Sequence, residues 1–198
     1  MKIRSKICGL KSEEAIITAQ ENGAEFLGFI FCPKSPRHLS PVEAGRLGKV
    51  ATAKKVAVTV DADDTLLKTI IEELKPDYIQ LHGHESDHRA IAIKTKFGLP
   101  LIRSRHPDQV ETNDLYDFLL IDTPGGGGKG VPFDWKDFTP PEQNWFLSGG
   151  LNVDNIAEAV KTTGSKLVDI SSGVESAPGV KDLDKIKAFL KTVNELKT

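Results

Sequence analysis

Trp145-Phe146-Leu147-Ser148-Gly149-Gly150-Leu151-Asn152 runs from a short apolar stretch through two glycines toward a helix, and Leu167-Val168-Asp169-Ile170-Ser171-Ser172-Gly173 begins the same figure again. Repetition of such a unit is the pattern of parallel strands joined by helical crossovers. Six further β-branched, aromatic or aliphatic runs precede these two: Ile3 to Ile7, Phe26 to Phe31, Val56 to Val60, Tyr78 to Leu81, Leu99 to Ile102 and Phe118 to Ile121. Several are almost continuously apolar, as expected of strands covered on both faces.

The segments between the runs carry helix signals. Ser40-Pro41-Val42-Glu43 supplies a capping hydroxyl, a proline for the first helical position and a glutamate that can return a bond to the cap. Ser12 precedes Glu13 and Glu14, with Ala15, Ile16 and Ala19 as an inward stripe and Gly23 past the end. Asn152 stands ahead of Ile156 and Val160, and Asp182 ahead of Ile186, Phe189, Leu190 and Val193. Between Arg103 and Asp117, His106-Pro107-Asp108 and Asn113-Asp114 interrupt any long helix, so the fifth helix is expected to be short or missing. Eight units in 198 residues leave about 25 residues each, near the lower limit of the TIM barrel. The expected architecture is therefore α/β, a small (β/α)8 barrel spanning 1–198 as a single domain. A doubly wound open sheet is the runner-up; the first strand lacks the Gly-x-Gly-x-x-Gly turn that would favour it.

With 39% hydrophobic and 27% charged residues the chain can bury a core, and a net charge of −2 gives no field for nucleic acid. No apolar run approaches the ~20 residues of a membrane helix. The basic start, Met1 to Lys6, is followed by no apolar region, so no signal peptide is expected, the location is expected to be cytoplasmic, and Cys8 and Cys32 reduced. His38, His82, His84, His88 and His106 show no metal-ligand spacing with the acids, and no metal is expected. Monomer and homodimer both stay open.

In such a barrel the chemistry sits at the C-terminal ends of the strands, with phosphate held after strands seven and eight. Gly149 and Gly150 after the seventh, with Ser172 and Gly173 after the eighth, can bring backbone N–H groups and hydroxyls onto one phosphate. Cys8 ends the first strand, where a thiol serves as base or nucleophile if neighbouring cations stabilise its thiolate; a lone cysteine is more often a small buried hydrophobe. Cys32, among Phe31 and Pro33, reads as packing. Asp122 emerges from Phe118-Leu119-Leu120-Ile121, where desolvation favours the protonated acid; the alternative is a helix cap. No helix signal follows at once, because Thr123 to Val131 is glycine-rich and reads as a lid. Arg37 in the second loop can fork onto a carboxylate or lie solvated at the surface. Asp169, in the last strand, either faces the interior toward a ligand or is a paired interior polar residue.

Lys6-Ile7-Cys8-Gly9-Leu10, Ser35-Pro36-Arg37, Gln80-Leu81-His82-Gly83, Leu120-Ile121-Asp122-Thr123, Phe133-Asp134-Trp135, Leu147-Ser148-Gly149-Gly150-Leu151-Asn152 and Asp169-Ile170-Ser171-Ser172-Gly173-Val174-Glu175 together resemble the phosphoribosylanthranilate isomerases, from residue 4 to about 190. The resemblance implies an Amadori rearrangement without a cofactor on a small phosphorylated substrate, with Cys8 as general base, Asp122 as general acid and Arg37 on the anthranilate carboxylate; Asp169 is carried with Arg37 as substrate-binding. The chain departs from that family in Gly127 and Gly130-Val131-Pro132 of the lid, in Thr59 and Asp61, and in Arg103, where a lysine is common. The histidine-pathway isomerase would need a second phosphate site after strands three and four, where no glycine-rich turn occurs. A non-catalytic barrel binding a phosphorylated ligand would need neither Cys8 nor Asp122. Indole-glycerol-phosphate synthase would need a catalytic lysine pair.

Overall fold

In the computed structural model, which describes residues 2–123 and 133–196, the apolar runs become eight parallel strands. They are β1 Arg4–Cys8, β2 Phe26–Ile30, β3 Lys54–Thr59, β4 Tyr78–Leu81, β5 Leu101–Arg105, β6 Phe118–Ile121, β7 Trp145–Leu147 and β8 Leu167–Ile170. Each pairs with its successor, and β1 pairs with β8, Arg4 beside Leu167 and Lys6 beside Asp169, so the sheet closes into a barrel. The helices are α1 Glu13–Glu21, α2 Pro41–Leu47, α3 Asp64–Leu74, α4 Asp87–Phe97, α5 Ile156–Thr163 and α6 Leu183–Glu195. A short antiparallel hairpin, β9 Glu175–Ala177 and β10 Val180–Lys181, stands between β8 and α6.

The caps act as their chemistry dictates. Ser12 Oγ accepts from Ala15 N at 3.2 Å, and Asp182 Oδ1 accepts from Asp184 N and Lys185 N, both at 3.0 Å. At α2 both reciprocal bonds form, Glu43 N to Ser40 Oγ at 3.3 Å and Ser40 N to Glu43 Oε2 at 2.8 Å. Asn152 behaves differently. Its Oδ1 accepts from Asp154 N and Asn155 N, making a turn that delays α5 until Ile156.

After β5 only a short 3₁₀ turn, Pro107–Gln109, stands where a fifth helix would be. The sixth crossover departs from the expected repeat, since no helix occurs there among the described residues. Pro140 and Pro141 remove two backbone donors, and Phe133, Trp135 and Phe138 pack on the core in place of a helix face. The predicted lid lies almost wholly in 124–132, outside the described residues. β5 begins two residues later than expected, Pro100 having no N–H for the ladder.

Side chains alternate across each strand, so one buried layer lies inside the barrel and a larger one between the strands and helices. The inner layer includes Phe26, Val56, Ile102, Phe118, Leu120 and Phe146. At its N-terminal end the rings of Phe26, Tyr78, Phe118 and Phe146 meet at centroid distances of 5.2–6.0 Å and fill the interior. At the other end the inner positions become polar, and a cavity of about 360 Å³ opens among the strand ends.

Candidate active site

Residues from seven of the eight strands or the turns after them line this cavity, all but β5. Cys8 from β1 is buried, and a Cβ on Gly28 of β2 would come within 2.9 Å of its Sγ, so the glycine makes room for the thiol. Burial pushes the thiol above its ordinary value, and the ammonium groups of Lys6 and Lys181 draw it back. Asp122, from the end of β6, accepts from Thr123 N at 2.8 Å through Oδ1, while Oδ2 lies 3.6 Å from His82 Nε2. Burial raises its carboxyl, with His82 opposing, so the group is poised to hold a proton. It caps no helix among the described residues. Burial also lowers His82, against the pull of Asp122, and favours the neutral imidazole; Gln80 Nε2 lies 3.0 Å from its other nitrogen.

Arg37 lines the cavity and is buried, contrary to the solvated alternative, and forks onto Glu175 through Nε and Nη2, both at 2.7 Å. Asp169 also lines it, between Lys6 Nζ at 2.9 Å and Ser148 Oγ at 3.4 Å. The paired reading therefore describes its contacts, without removing it from the cavity.

Gly149 and Gly150 adopt φ of 85° and 65°, which a side chain would strain, and a Cβ on Gly149 would collide with Thr123 Oγ1. Asn155 Nδ2 donates to Gly150 O at 2.9 Å, fixing the turn. Ser172 reaches the cavity, but Gly173 does not line it: a Cβ there would collide with Leu151 O, so this glycine lets the β8 turn pack against the β7 turn. Cys32, read from sequence as packing, is half-buried and lines the cavity. Arg103 turns away. It lies mid-strand beside Leu81 and Leu119, on the outward face, and Nη1 donates to Glu85 Oε2 at 2.6 Å. Among the described residues, no cluster of three or more His, Cys, Asp or Glu side chains is placed to hold a metal ion, and no helix is long and apolar enough to cross a membrane.

The model of the family described as N-(5'phosphoribosyl)anthranilate (PRA) isomerase matches residues 5–192. The chain belongs to the phosphoribosylanthranilate isomerase family. It is 47% identical over 210 residues to N-(5'-phosphoribosyl)anthranilate isomerase of Rhizobium meliloti (strain 1021), covering 98% of both chains. Its fold is similar to the crystal structure of TrpF from Jonesia denitrificans, with a TM-score of 0.86, 34% identity and 96% of each chain covered. It is also similar to phosphoribosyl anthranilate isomerase in complex with reduced 1-(o-carboxyphenylamino)-1-deoxyribulose 5-phosphate, with a TM-score of 0.81, 30% identity, and 98% and 100% of the two chains covered.

The cavity and its floor include groups that the sequence did not single out. Lys6 reads as a basic N-terminal residue, yet it is wholly buried inside the barrel; its position two residues before Cys8, on the same strand face, was the available signal. Burial alone would depress its ammonium, but Asp169 and Cys8 outweigh that and keep it charged. His82 and Gln80 enter the sequence reading through the Gln80-Leu81-His82-Gly83 motif, and His82 as a rejected metal ligand, with no role in the chemistry; Gln80, again two residues earlier, shares the face of His82.

Proposed function

We propose that the chain catalyses the Amadori rearrangement of N-(5'-phosphoribosyl)anthranilate to 1-(2-carboxyphenylamino)-1-deoxyribulose 5-phosphate, the isomerase step of tryptophan biosynthesis. The observation that carries the residue roles is the opening of Cys8 and a desolvated Asp122 onto one cavity, with Arg37 on its wall and the Gly149-Gly150 and Ser172 turns beside them.

Asp122 gives its proton to the ribose ring oxygen as the C1–O bond breaks and the nitrogen lone pair forms the C1=N iminium. The Cys8 thiolate takes the proton from C2, and the C–H electron pair becomes the C1=C2 bond of an enolamine, neutralising the iminium. Loss of the C2 hydroxyl proton and protonation at C1 then give the ketone. Proton return from Cys8 to Asp122 through solvent resets the pair. Lys6 stabilises the thiolate, and neutral His82 leaves the Asp122 proton in place. The turns after β7 and β8 hold the phosphate through their N–H groups and hydroxyls, and Arg37 holds the anthranilate carboxylate. Asp169, fixed by Lys6, accepts from a substrate hydroxyl.

Turnover of freshly generated phosphoribosylanthranilate, followed as loss of anthranilate-type fluorescence, tests this in wild type, Cys8→Ser and Asp122→Asn. Each variant is expected to lose at least about a hundredfold in kcat. Folded wild type that binds a product analogue without turning substrate over would instead make the chain a binding barrel.

A further inference from the structure

Glu175, the first residue of the β9–β10 hairpin, is buried outside the ring of eight strands and does not line the cavity. Its Oε1 accepts from Arg37 Nε at 2.7 Å and Lys181 Nζ at 2.8 Å; its Oε2 accepts from Arg37 Nη2 at 2.7 Å and Gly179 N at 3.3 Å. Burial alone would raise this carboxyl, but Arg37 and Lys181 outweigh it and hold the charged form.

A guanidinium has two forks, a side edge of Nε and Nη2 and an end edge of Nη1 and Nη2. Glu175 occupies the side edge. Nη1 makes no hydrogen bond within the described residues, and Arg37 lines the cavity, so the end edge is the one left to meet a ligand. We infer that Glu175 is a positioning residue that grips Arg37 by its side edge and thereby presents the end edge to the substrate carboxylate. This rests on the reading of Arg37 given above.

Glu175 is not a stand-in that the substrate displaces. Its carboxylate is itself held by Lys181 and the Gly179 amide, and Lys181 Nζ also donates to Ser171 O at 2.8 Å. The hairpin turn sits against the Arg37 loop: Gly179 has φ 82°, and a Cβ there would lie 2.5 Å from Pro36 O. Glu175 and Lys181 thus tie the carboxylate end of the cavity to the turn after β8, at the phosphate end.

The test compares phosphoribosylanthranilate with its decarboxylated analogue, N-(5-phosphoribosyl)aniline, in wild type, Arg37→Met, Glu175→Gln and the double variant, with folding checked by circular dichroism. Glu175→Gln is expected to raise KM about tenfold for the carboxylated substrate with kcat little changed, to leave the aniline substrate at its wild-type values, and to add nothing to Arg37→Met. A charge-keeping Glu175→Asp is expected to recover part of the loss, and it carries the same comparison if Glu175→Gln fails to fold. Equal losses on both substrates for Glu175→Gln, or an effect that multiplies that of Arg37→Met, would overturn the inference. If Arg37→Met itself impairs both substrates equally, the Arg37 reading falls, and this one with it.

Discussion

At the N-terminal end of the barrel, Arg4 forks onto Glu25 through two bonds of 2.7 Å and lies over Phe26 and Phe118, whose rings join Tyr78 and Phe146 in closing the interior. At the C-terminal end, the same inward alternation delivers Lys6, Cys8, Gln80, Asp122 and Asp169 to a cavity or its floor. Apolar surface is spent on stability at the first end. At the second, burial pushes Asp122 and Cys8 up and His82 down, and Gln80 Oε1 is buried without a partner among the described residues. These are the marks of groups held ready for a ligand, and one sheet produces both ends by changing which residue types occupy the inward positions.

The largest expected effect separates the ends outright. Asp122→Asn should lose between about a hundredfold and about ten-thousandfold in kcat while melting no lower than wild type. The sign follows from linkage. A carboxyl raised above its ordinary 3.8 destabilises the fold once pH passes that value, and the full penalty is present above the raised value. An amide removes it, so the stability gain should appear at neutral pH and vanish in acid. A large fall in Tm at neutral pH would mean that Asp122 supports the scaffold. Phe26→Ala is the mirror experiment: about 3–5 kcal/mol of stability lost by denaturant titration, with kcat per folded molecule unchanged. A kcat change of tenfold or more would show that the closed end reaches the chemistry.

Lys6 joins the two behaviours and gives an intermediate effect. The charged groups acting on Cys8 are Lys6 and Lys181, which lower its thiol, and Asp169, which raises it along with burial. A carboxyl ordinarily ionises well below a thiol, and burial raises both groups here; with that order kept, the thiolate with a neutral acid is a minority form and the kcat/KM plateau scales with the ratio of the two acid constants. Lys6→Met should therefore move the alkaline limb upward and lower the plateau by the same factor, while the acid limb, on which Lys6 is a minor influence, moves less. Lys6→Arg should keep both limbs near wild type. Alkylation of Cys8 against pH, resolved from Cys32 by mass spectrometry, reads the thiol directly. Unmoved limbs in Lys6→Met would confine Lys6 to packing with Asp169.

The same contrast explains what the sequence could reveal. Strand runs and caps are local, so Ser40-Pro41-Val42-Glu43 declares α2, and Phe118 to Ile121 ending in Asp122 marks both a strand and an acid. That no sixth helix occurs among the described residues goes with Phe133 and Phe138 finding the core, a tertiary event that local patterning does not encode. Arg103 stands at the apparent end of an apolar run, yet β5 continues to Arg105 and turns its side chain outward. Lys6–Asp169 and Arg37–Glu175 join residues far apart in the chain through barrel closure and a hairpin. Pro178-Gly179 has the composition of a turn; that it closes a hairpin, and which carboxylate that hairpin delivers to Arg37, needs the fold.

The smallest effect belongs to the ion pair at the closed end. Glu25 is held below its ordinary 4.5, chiefly by its bond from Arg4. Both side chains are 36% exposed, so solvent screening places the pair in the surface range of about 0.2–1 kcal/mol. A depressed carboxyl stabilises the fold above its ordinary value, and the contribution is lost as pH falls through the depressed one. Glu25→Gln should accordingly melt slightly below wild type at pH 7 and converge with it in acid, the opposite pH trend to that of Asp122→Asn, with kcat and KM unchanged. A KM change in Glu25→Gln would break the division between the ends, because Arg4 and Lys6 occupy the same strand and a shift of one would have reached the other.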